Sequence, residues 1–195
     1  MTPNAPIKPN ALSGGFAYPS IDAAHAFRAA LNAMARPGVI EKVAGAAPPA
    51  PLSLAAGVLI LTLTDGTTPL HLAGGHDCAE VRDWVTFQTG APLVAAAQAV
   101  FAVGTWDALQ PVSCYGIGAP DYPDRSATLI VELPGLAANG ARLSGPGIKD
   151  TAHLSLPDIA AFQANRALYP LGFDTYLTAG ATLAALPRST KVEAA

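Results

Sequence analysis

Ser126-Ala127-Thr128-Leu129-Ile130-Val131-Glu132-Leu133 is the strongest strand in the chain, and Pro134-Gly135 stops it. Ala141–Ser144 reads as a short strand after it. Phe173–Thr178 and Leu183–Leu186 read as two closing strands joined through Gly180. Upstream, Val39–Val43, Thr68–Leu72 and Ala99–Val103 are short strands. Helical signals fall between them. Ile21, Ala24, Phe27, Leu31 and Met34 recur every three or four residues, which predicts a helix over Ser20–Met34. Ser20 is its expected N-cap, Asp22 suits its first turn, and Pro37-Gly38 ends it. Leu52–Leu63 is apolar on every face and fits a buried helix or a buried strand; its length favours a helix. Cys78–Phe87 is helical with Asp77 as expected N-cap, and a further helix starts at Leu156-Pro157-Asp158 and runs to Ala167. Strands alternating with helices predict an α/β fold, a mixed β-sheet layered with helices. There is no internal repeat. The expected organisation is a flexible arm over 1–15, or a strap across a partner, followed by a single α/β domain over 16–195.

Composition narrows the function. Of 195 residues, 51% are apolar and 13% charged, about half the usual charged share of roughly 25%. Alanine fills 41 positions, so much of the apolar content is small. The net charge of −3 has no basic block, which excludes nucleic acid and a polybasic membrane patch. Ala44–Thr64 and Gln88–Trp106 lack charge but are broken by proline and glycine, so neither is a membrane span. Two cysteines, Cys78 and Cys114, read as free thiols in a reducing, cytoplasmic setting. A surface so poor in charge is either simply one of small residues or is covered in part by partner protein.

Several segments are candidates for chemistry. Leu143-Ser144-Gly145-Pro146-Gly147-Ile148-Lys149 is a strand running into a glycine turn beside a lysine. Such a turn can form an anion nest for phosphate or phosphonate, or be no more than a tight turn. Tyr122-Pro123-Asp124-Arg125-Ser126 precedes the strongest strand. Arg125 there suits bidentate anion binding with Asp124 or Ser126 orienting it; a capped surface turn is the plainer reading. In Leu186-Pro187-Arg188-Ser189-Thr190-Lys191 two cations flank two hydroxyls, chemistry suited to phosphate, although a solvated tail is favoured. His71, His76, Asp77 and Cys78 match no zinc spacing, so no metal is expected. No serine lies in a nucleophile elbow, and no catalytic residue is assigned. Trp84, Trp106, Phe87 and Phe162 read as core or interface; Asn165-Arg166 could reach a ligand or cap carbonyls, and a structural role is favoured.

One resemblance extends almost from end to end, Gly15 to Glu193. It rests on Phe27-Arg28, Ala33-Met34 and Pro37–Ile40, on Leu61–Asp65 with Thr68-Pro69, and on Phe87–Pro92 with Phe101-Ala102. It continues through Ala127–Ile130 to its most specific pieces: Leu143–Ile148, Pro170–Asp174 and Leu186–Thr190. In their order and spacing they resemble the family of the H subunit of bacterial carbon–phosphorus lyase (PhnH). One departure is Gln88, where that pattern leads one to expect histidine.

The resemblance implies a subunit of the machinery for phosphonate catabolism. It supports formation of ribose 1-methylphosphonate 5-triphosphate from ATP and methylphosphonate, with displacement of adenine. It implies a homodimer that joins the G, I, J and L subunits, and a fold like that of the pyridoxal-phosphate-dependent transferases without their cofactor. Of four lysines only Lys149 is placed for a Schiff base, and nothing completes such a site. A purely structural interaction subunit and a self-sufficient phosphate-binding transferase remain open. An apolar dimer interface above roughly 1,000 Å² is expected.

Overall fold

A computed structural model of the chain describes residues 12–194. Its elements run α1 (Pro19–Ala35), β1 (Glu41–Lys42), α2 (Leu54–Leu63), β2 (Leu70–Leu72), α3 (Ala79–Thr89), β3 (Phe101–Thr105), β4 (Ile117–Ala119), β5 (Tyr122–Ser126) and β6 (Thr128–Glu132). They continue with β7 (Ala141–Ser144), β8 (Ala152–Leu154), α4 (Ile159–Ala167), β9 (Asp174–Ala179), β10 (Thr182–Leu186) and β11 (Lys191–Glu193).

The strongest strand of the sequence is β6, and it lies inside a six-stranded sheet of order β1-β10-β9-β6-β3-β2. It pairs in parallel with β3 on one side and β9 on the other, Ile130 lying between Val103 and Tyr176. The four strands β2, β3, β6 and β9 are parallel, while at one edge β10 runs antiparallel to β9 and β1 antiparallel to β10. The expected α/β class with a mixed sheet is therefore what the chain forms. Leu129, Ile130 and Val131 are all fully buried, because a central parallel strand is covered on both faces.

Those covers differ. On one face α1, α2 and α3 pack over Val103, Ile130, Tyr176 and Leu183. On the other, α4 and a small antiparallel sheet, order β11-β7-β8, pack over Ala102, Leu129, Val131 and Leu177. Trp106 stacks on Phe162 there, with ring centroids 5.3 Å apart. The β2-to-β3 connection carries α3 on the first face, and the β6-to-β9 connection carries α4 on the second. Both move the same way across the sheet, so the two crossovers have opposite hands and one departs from the right-handed rule.

Sequence and structure part at identifiable places. Ser20 lies inside α1 rather than capping it; Pro19 occupies the first turn, and the Asp22 carboxylate accepts from the Tyr18 backbone N–H at 2.8 Å. The expected apolar stripe of α1 is not its buried face. Ile21, Phe27 and Leu31 are 58%, 52% and 55% exposed, and Ala26, Ala30 and Ala33 face the sheet. Asp77 does not cap α3 either; Cys78 holds the N-cap position, and the Asp77 carboxylate pairs with Arg82. Two other helices do have side-chain caps. Ser53 Oγ accepts from Ala56 N–H at 3.1 Å, and Asp158 Oδ1 accepts from Ala161 N–H at 3.0 Å.

The Leu186–Lys191 run is no solvated tail: its end enters β11, where Lys191 pairs with Ser144. Tyr122–Ser126, read as a loop, is β5 of a two-stranded ribbon with β4. Of the expected arm, residues 1–11 lie outside the described residues. Its last part is held down: Gly14 carbonyl accepts from Ala47 N–H at 2.9 Å, and Ser13 carbonyl accepts from the Trp84 indole at 3.0 Å. Among the described residues no helix is long and apolar enough to cross a membrane.

Candidate functional site

The candidate residues gather around the loop between β10 and β11. Arg188 sits on that loop and turns back over the start of β9. Its backbone N–H donates to Asp174 Oδ1 at 2.8 Å, its Nε to the same oxygen at 3.1 Å, and its Nη2 to Oδ2 at 2.6 Å. Nη1 donates to the Pro123 carbonyl at 2.7 Å, and Nη2 also reaches Ser126 Oγ. One side chain thus ties β5, β9 and the β10–β11 loop together. The planar fork of arginine makes this possible, since it offers five N–H donors in fixed directions. The clamp floors a groove of about 330 Å³ lined by Pro123, Asp124, Tyr169, Pro170, Asp174 and Ser189, among others.

Arg125 and Asp124 are exposed on the ribbon beside this groove. Arg125 lies over the Tyr122 ring, 4.0 Å from its centroid, so its charge is held but not neutralised. Ser126 is buried and committed to Arg188. Arg188 itself spends its donors within the chain.

The glycine turn lies on the far side of the same loop. Ser144 ends β7, and an added Cβ on Gly145 would stand 3.4 Å from the Ser189 carbonyl. Gly147 has φ +81°, and a Cβ there would meet the Ala35 carbonyl at 2.0 Å, so only glycine seats this turn against the end of α1. Lys149 is exposed beyond it. The structure thus divides the nine candidates between the two sides of one loop. Asp124, Arg125, Ser126 and Arg188 lie towards the groove; Ser144, Gly145, Gly147 and Lys149 lie towards the turn, with Ser189 touching both.

A second cluster was not apparent from the sequence. Glu132 ends β6, at the carboxyl edge of the parallel strands. It accepts from Ser53 N–H at 2.7 Å and from Thr178 Oγ1 at 3.0 Å. His76 is buried 3.9 Å from it. Burial holds the His76 pKa below its usual value, with Glu132 opposing this in part, and its Nε2 has no hydrogen-bond partner. Ligands of open α/β sheets favour this edge. That signal needs the strand order, which the sequence does not supply. His71, weighed in the sequence only as a metal ligand and set aside, lies on edge strand β2. Its Nδ1 hydrogen-bonds the Val94 carbonyl at 2.9 Å, in a groove of about 300 Å³ that also holds Asp77 and Arg82.

The family of bacterial phosphonate metabolism proteins (PhnH) matches this chain over residues 14–193. The chain belongs to the PhnH family. A relative from Rhizobium meliloti (strain 1021), the alpha-D-ribose 1-methylphosphonate 5-triphosphate synthase subunit PhnH, is 38% identical over 192 residues. That match covers 93% of this chain and 95% of the relative.

The three most specific pieces of the PhnH resemblance meet in space. Asp174 of Pro170–Asp174 binds Arg188 of Leu186–Thr190, and Gly145 of Leu143–Ile148 packs on Ser189-Thr190. Asn165 joins them: its side chain donates to the Phe173 carbonyl and accepts from the Phe173 N–H, both at 2.9 Å. Its reading as structural holds. Gln88, at the position where this PhnH chain departs from the expected histidine, donates to the Leu12 carbonyl at 3.5 Å. An amide there cannot act as a general acid or base at neutral pH.

Proposed function

We propose that this chain is a subunit of the synthase forming ribose 1-methylphosphonate 5-triphosphate from ATP and methylphosphonate, with adenine displaced, in bacterial phosphonate catabolism. The end-to-end identity with the curated subunit carries this reading. The chain acts with other subunits of the carbon–phosphorus lyase system, the G, I, J and L subunits, in the cytoplasm, and residues 16–195 work as one domain. Two hydrophobic clusters on opposite faces of one sheet support that unit. It carries no cofactor of its own; ATP is a substrate of the complex. The likeness to pyridoxal-phosphate-dependent transferases rests on the family alone, and the exposure of Lys149 supports a reading without that cofactor. A phosphate or phosphonate would lie either in the groove bordered by Asp124, Arg125 and Ser189 over Arg188 and Ser126, or at the turn of Ser144, Gly145, Gly147 and Lys149.

The chain works as a homodimer through the outer face of α1. Support comes from that face itself: Tyr18, Ile21, Phe27 and Leu31 are large, apolar or aromatic, and exposed. Such a stripe is costly in water and suits an interface core. The test is reconstitution with the partner subunits, measuring adenine release from ATP and methylphosphonate. Release should depend on this chain. Equal release without it, together with failure to co-purify with any partner, overturns the reading. A second reading, a pure interaction subunit, is favoured by the internal commitment of Arg188. It requires Arg125→Ala to leave adenine release unchanged.

A further inference from the structure

The chain from Leu12 to Gly15 is fastened to α3. Gly15 lies so close to the Gln88 side chain that a Cβ there would clash with it. The Ser13 carbonyl accepts from the Trp84 indole, and the Leu12 carbonyl accepts from Gln88 Nε2. Leu12 thus stands at the last turn of α3, with its own side chain exposed. The outer face of that helix carries Glu80, Asp83 and Phe87, all exposed. Their spacing of three and then four residues places them in one stripe. Phe87, next to the Gln88 anchor, is 59% exposed, and the two carboxylates continue the stripe towards the helix start.

The segment ahead of Leu12 complements that stripe in order, charge and length. Pro3, Pro6 and Pro9 recur every three residues, the repeat of a polyproline II helix. Between residues 2 and 11, Lys8 is the one charged side chain and Ile7 the one large apolar side chain. At about 3.1 Å per residue, Lys8 lies about 12 Å of chain before Leu12. At about 1.5 Å per residue, Glu80 lies about 12 Å along α3 before Gln88. Running back from the anchor, the segment therefore brings a proline to the phenylalanine and a cation to the carboxylates.

We propose that residues 3–11 form a strap along the outer face of α3 of their own chain, with Pro9 over Phe87 and Lys8 against Glu80 and Asp83. Three prolines limit the conformations the free segment samples, so docking it costs less order than docking an ordinary segment. Attachment at Leu12 holds it at an effective concentration of about a millimolar. Contacts too weak to hold a separate peptide then suffice, and the arm of a second copy competes only at its lower solution concentration. The strap takes the α3 face out of the surface open to other subunits, and leaves α1 as the large apolar face. The inference stands whether or not the synthase reading holds.

Isotope-edited NOE spectra of the full chain test it without any substitution. Cross-peaks are expected between the Phe87 ring and the side chain of Pro9. The amide heteronuclear NOE of Lys8 and Asn10 should match that of α3. Lys8→Glu puts a third carboxylate on the stripe; it should lower those amide NOEs and move the amide shifts of residues 80–87. Lys8→Glu together with Glu80→Lys should restore both, which a loss of fold would not allow. Raising the salt to about 1 M should act in the direction of Lys8→Glu, because the pair is on the surface. A mixture of labelled and unlabelled copies separates the two sources of the strap. Cross-peaks within one chain uphold the proposal, and cross-peaks found only between copies overturn it. No cross-peak from Phe87 to residues 7–11, with shifts over 80–87 unmoved by Lys8→Glu, overturns docking on α3 altogether.

Discussion

Helices α1 and α2 pack side by side on one face of the sheet, yet they use apolar residues in opposite ways. Helix α2 buries its whole central run, Ala55 to Ile60. Helix α1 buries three alanines and turns Ile21, Phe27 and Leu31 outward. Small residues let α1 come close to β10 and α2. The large residues then have no room beneath, and they form a second apolar face. An apolar stripe therefore marks a face that leaves water; it does not say whether the chain's own core or another chain covers it.

The contrast can be broken by substitution. Leu59→Ala in α2 should cost about 3 kcal/mol, because the site is closed on every side and leaves a cavity. Thermal or urea unfolding measures it, and a loss under about 1 kcal/mol would mean that α2 is not the closed core described. The Arg188 clamp comes next. Arg188→Ala should destabilise by about 2–3 kcal/mol, since Asp174 and the Pro123 carbonyl lose their partner in a half-buried setting. Urea unfolding showing no change would return Arg188 to the surface.

Ser53→Ala should cost about 1 kcal/mol through loss of the α2 N-cap, while Ser20→Ala should leave stability unchanged, because Ser20 caps nothing. Equal effects of the two would remove the distinction between these helix starts. On the outer face, Phe27→Ser with Leu31→Ser should change monomer stability by no more than about 0.5 kcal/mol. The same pair should abolish the dimer, read by light scattering. A dimer that survives would move the interface away from α1.

The smallest expected effect is the pH response of His76, beside the α2 cap. Its folded pKa lies below the ordinary 6.5, so the unfolded chain binds the proton more readily. Above about pH 6.5 both states are neutral at this group and it contributes no pH dependence. As pH falls below that value stability should decline, until the lowered folded pKa is reached. His76→Gln should flatten this slope. An unchanged slope in that variant would show it to lie elsewhere.

Much of the architecture was legible because local signals and tertiary packing agree. Ser126–Leu133 contains β6, Ala141–Ser144 is β7 as read, and the helix within Leu52–Leu63 follows from its length. Reading failed where a residue's role is set by a distant segment. Lys191–Glu193 is a strand only because β7 lies alongside it. Ser20, a good cap by type, lost the position to Pro19, whose ring suits the first helical turn. Asp77 was drawn away from α3 by Arg82 five residues later. The candidate residues were read segment by segment, and not as neighbours. Arg188 and Ser126 are 62 positions apart in the chain, and only the folding of β9 and β10 beside β6 brings them together.

By itself the sequence determined the α/β class, the principal elements and, through the order of its motifs, membership of the PhnH family. These depend on local periodicity, turn chemistry and matching residues, all of which are properties of short stretches. Tertiary structure alone decided which face of α1 is covered and which arginine is spent on the chain itself. Each of these depends on what lies across a gap of dozens of residues, where burial and hydrogen-bond partners are settled by packing and not by composition.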